Sequence, residues 1–131
     1  MRILIDTDVL LDVALAREPH LAASVAVLEW AQSGGEAAVA WHSLTNCSYL
    51  LKGGRSFLRN LLQIVEVPDV GTRDAEWAVE SPMTDLEDAF QAAAALAWKA
   101  DFIVTRNLRD YRKSPVPAIS PAAFRKKVTT G

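Results

Sequence analysis

The sequence predicts an α/β fold, a three-layer αβα sandwich around a central, mostly parallel sheet of four to five strands. Short apolar segments rich in β-branched residues alternate along the chain with longer segments of helical spacing. Strands that alternate with helices form βαβ units, and such units build parallel sheets with helices on both faces. The length of 131 residues suits one domain, and the sequence contains no internal repeats or long linkers, so we expect a single domain over residues 1–131.

Each element follows from a local pattern. The first strand is predicted at 2–5, which is apolar enough to be buried on both faces. Pro19 suits the first turn of a helix at 19–32, and Gly34-Gly35 ends it. The remaining strands are predicted at 36–41, 64–67, 102–104 and 117–119. The remaining helices are predicted at 8–16, 43–51, 56–62, 72–80, 84–100 and 121–127.

Composition narrows the classes of function. Half of the residues are hydrophobic and the net charge is −2, which argues against bulk electrostatic binding of nucleic acid but not against a local basic surface. The single cysteine, Cys47, cannot form an internal disulfide, and no signal peptide is recognisable, so we expect a cytoplasmic protein. No apolar run approaches the ~20 residues that cross a membrane. With one Cys and two His, any metal would be bound by oxygen ligands rather than in a structural zinc site.

Acidic, amide and hydroxyl side chains follow two of the predicted strands. In open α/β sheets, ligands bind beyond the carboxyl ends of the strands, where the strand order reverses. We therefore expect a functional site built from the ends of the strands at 2–5 and 102–104. After the strand at 2–5 these side chains are Asp6, Thr7 and Asp8. After the strand at 102–104 they are Thr105, Arg106, Asn107 and Asp110.

Three interpretations of Asp6 are open from its position alone. It could cap the following helix, bind a metal, or act as the nucleophile of a phosphatase. Asp8 is a weaker candidate for the same site. Asp12 is expected on the solvated face of the helix, without a functional role.

The segment from Thr84 to Phe90 begins the longest predicted helix. Thr84 and Glu87 fit a capping box, and Asp85 is favoured by the helix dipole in the first turn. Asp88 is predicted one turn inside the helix, where capping does not explain it. It is therefore a candidate functional acid.

Convergence of Asp6, Asp88 and Asp110 would be costly without a cation. Their mutual repulsion would raise their pKa values and destabilise the fold, and Mg²⁺ or Mn²⁺ would relieve it. Such a site suits hydrolysis of a phosphodiester by in-line attack of water. Arg106 and Arg109 lie beside it in sequence and are predicted to contact backbone phosphates.

Three motifs resemble those of one known family. The apolar strand into Asp6-Thr7-Asp8, the helix starting at Asp88, and the segment from Val104 to Tyr111 occur in this order along the whole chain. Together they resemble the motifs of PIN-domain proteins of the VapC-type toxin class, which are small metal-dependent ribonucleases. The resemblance implies a PIN-like fold, an RNA substrate, a cognate antitoxin protein and a homodimer.

The same resemblance implies roles for individual residues. Mg²⁺ or Mn²⁺ is the implied cofactor, and Asp6, Asp88 and Asp110 are the implied metal ligands and catalytic residues. The implied supporting residues are Thr7, Asp8, Asn46, Asp85, Thr105 and Asn107.

One departure concerns the second acid of the family, usually a Glu on the helix after the second strand. Here the segment from Ser43 to Tyr49 contains no acid, and Asn46 stands in its place. An amide oxygen can coordinate a cation but contributes no negative charge. Asn107 is also neutral where Asp is common in the family. A degenerate PIN domain that binds RNA or a partner without cleaving it is therefore a second hypothesis.

A third hypothesis is a haloacid-dehalogenase-type phosphatase. Asp6-Thr7-Asp8 after an apolar strand also resembles the nucleophile motif of that class. The class needs a later strand that ends in an acidic pair, and the segment 117–120 contains no acid.

Four tryptophans, Trp30, Trp41, Trp77 and Trp98, could contribute to a partner surface or to the core.

Overall fold

The computed structural model describes residues 1–130. Its strands are β1 (Arg2–Ile5), β2 (Glu36–Ala38), β3 (Phe102–Val104) and β4 (Ala118–Ile119). Its α-helices are α1 (Thr7–Ala14), α2 (Leu21–Gln32), α3 (Trp41–Leu50), α4 (Gly54–Leu61), α5 (Thr72–Glu80), α6 (Leu86–Trp98) and α7 (Pro121–Thr130). A short 3-10 helix, Leu108–Tyr111, connects β3 to β4.

The four strands form one parallel sheet in the order β2-β1-β3-β4. Leu4 in the centre of β1 lies opposite Ala38 on one side and Ile103 on the other. The chain passes from β1 to β2 on one side and later returns to β3 on the other, so the strand order reverses between β1 and β3. The carboxyl ends of these two strands therefore border the crevice in which ligands of such sheets bind.

Helices cover both faces of the sheet, because successive side chains of a strand point to opposite faces. Ile3 and Ile5 belong to one buried cluster, which also contains side chains of α1, α2 and α7. Leu4 and Ile103 belong to a second cluster, which contains side chains of α5 and α6. The α/β, three-layer architecture predicted from the sequence is confirmed, with four strands in the sheet.

Two predicted strands differ from the structure. The strand predicted at 36–41 ends at Ala38, because the chain turns at Ala40 and Trp41 begins α3. The segment 64–67 forms only a single bridge to Ala38, in which the Glu66 N–H donates to the Ala37 carbonyl at 3.0 Å. Pro68 follows and has no N–H to continue a ladder.

No helix within residues 1–130 is long and apolar enough to cross a bilayer.

Candidate functional site

Asp6 stands at the carboxyl end of β1 and accepts hydrogen bonds at both carboxylate oxygens. Oδ1 accepts the Thr7 N–H at 2.7 Å, which caps α1, and the Gln91 amide at 3.0 Å. Oδ2 accepts the Thr105 hydroxyl at 2.8 Å and lies 3.1 Å from the Tyr111 hydroxyl. Asp6 is therefore a helix cap, which is one of the three open interpretations, and it is also the centre of a buried polar network.

The first turn of α6 differs from its prediction. The N-cap is Asp85, whose Oδ1 accepts the Asp88 N–H at 3.0 Å, so the Thr84–Glu87 capping box predicted from the sequence is wrong. Asp85 and Asp88 have the same three-residue spacing as Thr84 and Glu87, and the shift by one residue puts Asp88 in the first turn rather than one turn inside. Glu87 instead faces α3.

Tyr111 connects the two central acids. Its hydroxyl is buried and lies 3.1 Å from both Asp6 Oδ2 and Asp88 Oδ1. A phenol has one proton, so it can donate to only one of these carboxylates at a time. The other contact is satisfied when its carboxyl group is protonated and donates to the phenol oxygen. Asp6, Tyr111 and Asp88 thus form a chain of three groups suited to holding one extra proton.

A second cluster of acids continues from Asp88 towards the surface. Carboxylate oxygens of Asp85, Asp88 and Asp110 lie within 4.8 Å of one another. Asn107 donates from Nδ2 to Asp110 Oδ2 at 2.6 Å, and its own N–H donates to the Thr105 hydroxyl at 3.0 Å. Of the predicted trio, Asp88 and Asp110 belong to this cluster, and Asp6 is joined to Asp88 through Tyr111.

This crowding changes the pKa values of the acids. Burial raises the pKa of Asp88 to about 7, and the charges of Asp6, Asp85 and Asp110 add to the increase, against a lowering by the Tyr111 hydrogen bond. Burial also raises the pKa of Asp6, although the Thr105, Thr7 and Tyr111 hydrogen bonds oppose the shift. Full ionisation of this group is therefore unfavourable unless positive charge is supplied.

Asp8 lies beside Asp6 and is only partly satisfied. Its Oδ2 accepts the Arg106 N–H at 3.0 Å and lies 3.4 Å from the Thr105 hydroxyl. Its Oδ1 is buried and accepts no hydrogen bond from residues 1–130. Burial and the Asp6 charge raise the pKa of Asp8 to about 6. Hard divalent cations prefer carboxylate oxygens as ligands. Asp8 Oδ1 receives no hydrogen bond and lies next to other crowded carboxylates, so the residues present fit Mg²⁺ or Mn²⁺.

A fully buried glutamine, Gln91, was missed by the sequence analysis. Its Nε2 donates to Asp6 at 3.0 Å and to the Ser43 hydroxyl at 2.7 Å, and the Thr7 hydroxyl donates to Ser43 Oγ at 2.8 Å. Gln91 lies one turn after Asp88 on α6, a spacing of three that puts both on one face. A polar residue among alanines in a helix that is otherwise apolar was the available signal.

Asp12 was expected on a solvated face, and this prediction is wrong. Its side chain is 0% exposed and accepts hydrogen bonds from Arg106, Arg17 and Ser24. Burial by itself would raise the pKa of Asp12, but the hydrogen bonds and charges of these partners, Arg106 foremost, lower it. The guanidinium of Arg106, predicted to contact phosphate, therefore has a fixed partner within the protein.

Several of these side chains, among them Asp6, Asp8 and Asp88, line an open cleft of about 430 Å³. Asn46, predicted in place of the second acid, lies in its wall on α3 and donates from Nδ2 to Glu87 Oε1 at 3.1 Å. Arg109 is exposed on the 3-10 helix. The cleft is lined by Asp6, Thr7, Asp8, Leu11, Arg17, Asn46, Leu50, Glu87, Asp88, Arg106 and Asn107.

Comparison with solved structures reproduces the fold. VapBC2 from Rickettsia felis, bound to a DNA fragment from its promoter, matches with a TM-score of 0.70 and 17% identity over 92% of this chain and 98% of that chain. A toxin-antitoxin complex from Klebsiella pneumoniae matches with a TM-score of 0.67 and 20% identity over 91% and 97%. VapBC-1 from nontypeable Haemophilus influenzae matches with a TM-score of 0.65 and 11% identity over 93% and 99%.

Comparison at the level of sequence gives the family. No curated protein sequence matches the chain significantly. The family model for the PIN domain matches residues 2–109, which include β1, the acids of α6 and the end of β3. This match covers most of the chain, and the chain therefore belongs to the PIN domain family.

Proposed function

We propose that this chain is a Mg²⁺- or Mn²⁺-dependent endoribonuclease and the toxin of a VapBC-type toxin-antitoxin pair. The observation that carries the proposal is the group of crowded, partly buried carboxylates at the switch point of a PIN-domain sheet, in which the pKa of Asp88 rises to about 7. Such a group is destabilising without a cation and useful with one. The proposal includes a single PIN-like domain over residues 1–131.

In this proposal Asp6, Asp88 and Asp110 hold the cation, supported by Asp85 and Asp8. A divalent cation supplies charge that lowers the pKa of water and offsets the charge that develops on the phosphodiester. The supporting polar residues act on the acids: Asn107 donates to Asp110 and Thr105 donates to Asp6, as described above.

Orientation and proton storage are the tasks of the buried residues. Gln91 and Thr105 each fix one oxygen of Asp6 at 3.0 Å and 2.8 Å. Tyr111 bridges Asp6 and Asp88, so a proton taken from attacking water can be shared along this chain of groups. Attack then proceeds in line with the leaving oxygen, and Arg106 and Arg109 are the proposed contacts to RNA phosphates.

Cleavage of RNA by the purified protein tests the proposal. Wild-type protein should cut single-stranded and structured RNA in Mg²⁺ or Mn²⁺ and stop when EDTA is added. Asp6→Asn, which keeps the size of the side chain, should cut at least about 100-fold more slowly because a charged ligand and a buried acceptor are altered together. Asp69→Asn, a matched change at an exposed acid outside the cleft, should cut like the wild type.

The neutral residues Asn46 and Asn107 favour one alternative, a degenerate PIN domain that binds RNA or a partner. Asn46 is paired with Glu87 and brings no charge to the cleft. This alternative predicts RNA that is bound but intact in the same assay, with equal binding by wild type and Asp6→Asn. Intact RNA in both metals, with the RNA shifted in a gel, would favour it over the nuclease.

A cognate antitoxin, a homodimer and a cytoplasmic location are the remaining parts of the proposal. Three of the similar structures are VapBC or toxin-antitoxin complexes, which supports a protein partner. Of the tryptophans, Trp41 is 69% exposed, and Trp30 packs edge-on against Phe124 in the core. Trp77 and Trp98 pack against the second buried cluster. Co-expression with the product of an adjacent gene, followed by purification of a complex, tests the antitoxin.

A further inference from the structure

Two arginines from distant parts of the chain meet on the buried carboxylate of Asp12. Arg106 donates from Nε to Oδ2 at 2.7 Å and from Nη2 to Oδ1 at 3.1 Å, which is a two-point contact. Arg17, in the turn after α1, donates from Nε to Oδ1 at 3.0 Å. Ser24 on α2 adds a hydroxyl donor at 3.1 Å to Oδ2. We call Asp12, Arg17 and Arg106 the arginine clamp.

Both arginines of the clamp also form hydrogen bonds to Asp8, which lies beside Asp6. The Arg106 N–H donates to Asp8 Oδ2 at 3.0 Å, and Arg17 Nη2 donates to the Asp8 carbonyl at 3.2 Å. Arg17, Arg106 and Asp8 all line the 430 Å³ cleft. Any phosphate chain that approaches Asp6 and Asp88 from this side therefore passes the two guanidinium groups.

One arginine is enough to neutralise the charge of Asp12, so the presence of a second arginine needs another explanation. The Arg106 guanidinium alone occupies both carboxylate oxygens of Asp12, and Ser24 supplies a further donor. Arg17 thus adds a second positive charge, so the clamp carries a net charge of about +1 beside acids that repel phosphate. Both arginine side chains remain partly open to solvent, at 39% for Arg17 and 32% for Arg106. Each guanidinium carries five N–H donors and keeps some of them for a ligand.

We propose that the arginine clamp is a phosphate-binding subsite for the RNA strand, in which Asp12 is a positioning residue that holds the guanidinium groups of Arg17 and Arg106 at the edge of the cleft. The subsite takes a phosphate next to the one that is cut. It rests on the proposed ribonuclease function. Arginine forks fixed in advance lose little side-chain entropy on binding, so the contact is stronger than that of a mobile surface arginine.

Salt-dependent binding of RNA tests the proposal. The probe is a fluorescein-labelled single-stranded RNA of about twelve nucleotides, and EDTA keeps it intact. Arg17→Gln should raise Kd about tenfold at low salt. It should also reduce the slope of log K against log salt by about 0.7, the loss of one phosphate contact on a single strand. Arg59→Gln, on the exposed surface of α4, should change Kd by less than about twofold.

Asp12→Asn separates positioning from simple charge. Removing a negative charge near the RNA would tighten binding if charge alone mattered. If Asp12 positions the guanidinium groups, Asp12→Asn weakens binding about fivefold or more, because the arginines lose their fixed geometry. Circular dichroism checks that the variant is folded, and Arg17→Gln decides the question where it is not.

The outcomes separate this subsite from the nuclease proposal. Wild-type protein that cuts RNA, with an unchanged salt slope in Arg17→Gln, overturns the subsite and leaves the nuclease. The same follows from tighter binding by a folded Asp12→Asn. Wild-type protein that neither binds nor cuts RNA overturns both. A reduced slope for Arg17→Gln, with Arg59→Gln unchanged, supports the subsite whether or not cleavage is observed.

Discussion

Asp88→Asn should stabilise the metal-free protein at alkaline pH. Asp88 is 8% exposed, lies beside Asp6, Asp85 and Asp110, and has a pKa raised to about 7. Asparagine keeps the size of the side chain and an oxygen that can accept from Tyr111, while it removes the charge. The variant therefore reports the free energy that charge repulsion and burial cost the fold.

The magnitude follows from the pKa. A rise from 3.8 to about 7 corresponds to roughly 4 kcal/mol of unfavourable ionisation well above pH 7, at ~1.36 kcal/mol per unit. Relaxation at the edge of the cleft and sharing of the proton with Asp6 reduce this to about 2–3 kcal/mol. Loss of a favourable charge in the first helical turn subtracts about 0.5 kcal/mol. We expect a net gain of about 2 kcal/mol at pH 8.

The gain should depend on pH. Between the unfolded pKa of 3.8 and the folded pKa of about 7, the folded wild type binds the extra proton, so its stability falls as the pH rises through this window. Urea denaturation in EDTA at pH 5 and pH 8 measures both values. The difference between Asp88→Asn and wild type should already be present at pH 5, at about a third of its full size, and should be largest at pH 8, because pH 5 lies inside this window. Asp69→Asn, an exposed acid, serves as the matched control.

Two results would refute this reasoning. One is an Asp88→Asn protein that is destabilised by more than about 1 kcal/mol at pH 8, which would make Asp88 a structural acid. The other is a stability difference that does not change with pH.

Addition of Mn²⁺ at ten times its Kd should stabilise the wild type by about 1.4 kcal/mol and the variant by much less.

Three further predictions concern the residues around the acids. Tyr111→Phe removes a hydrogen bond that lowers the pKa of Asp6 and of Asp88, so the acidic limb of the pH–rate profile for RNA cleavage should move to higher pH. Gln91→Leu leaves Asp6 short of a buried donor and should lower the free energy of unfolding by about 1–3 kcal/mol, measured in urea. Asn46→Glu adds a carboxylate to the cleft wall, and calorimetry should find Mn²⁺ bound about tenfold more tightly.

Much of the fold could be predicted because it depends on local patterns. The apolar run 2–5 and the alternation of strands and helices determine a parallel sheet, and the first and third strands were placed at their observed residues. The strand-end rule then located Asp6, Thr105 and Asn107 at one crevice. Helix 72–80 was likewise predicted at its observed ends.

Most of the wrong or missing predictions concern side chains whose position depends on contacts with residues that are distant in sequence. Asp12 has the helical spacing of a surface acid, and hydrogen bonds from Arg106 foremost, with Arg17 and Ser24, make its burial favourable. The role of Tyr111 as a bridge between two acids could not be predicted, because the 3-10 helix that turns its hydroxyl inward has no distinct sequence pattern. The cap of α6 shifted from Thr84 to Asp85, since two equivalent spacings overlap there.

Hydrolysis of RNA by water at the acid cluster is tested most directly by cleavage in water enriched in oxygen-18. Wild-type protein with Mn²⁺ should give products without a 2′,3′-cyclic phosphate, and each new terminal phosphate should carry one labelled oxygen. Asp88→Asn should give no such product above the level of the metal-free reaction. A cyclic phosphate end, an unlabelled phosphate, or intact RNA with either metal would contradict a water-dependent nuclease at Asp6 and Asp88.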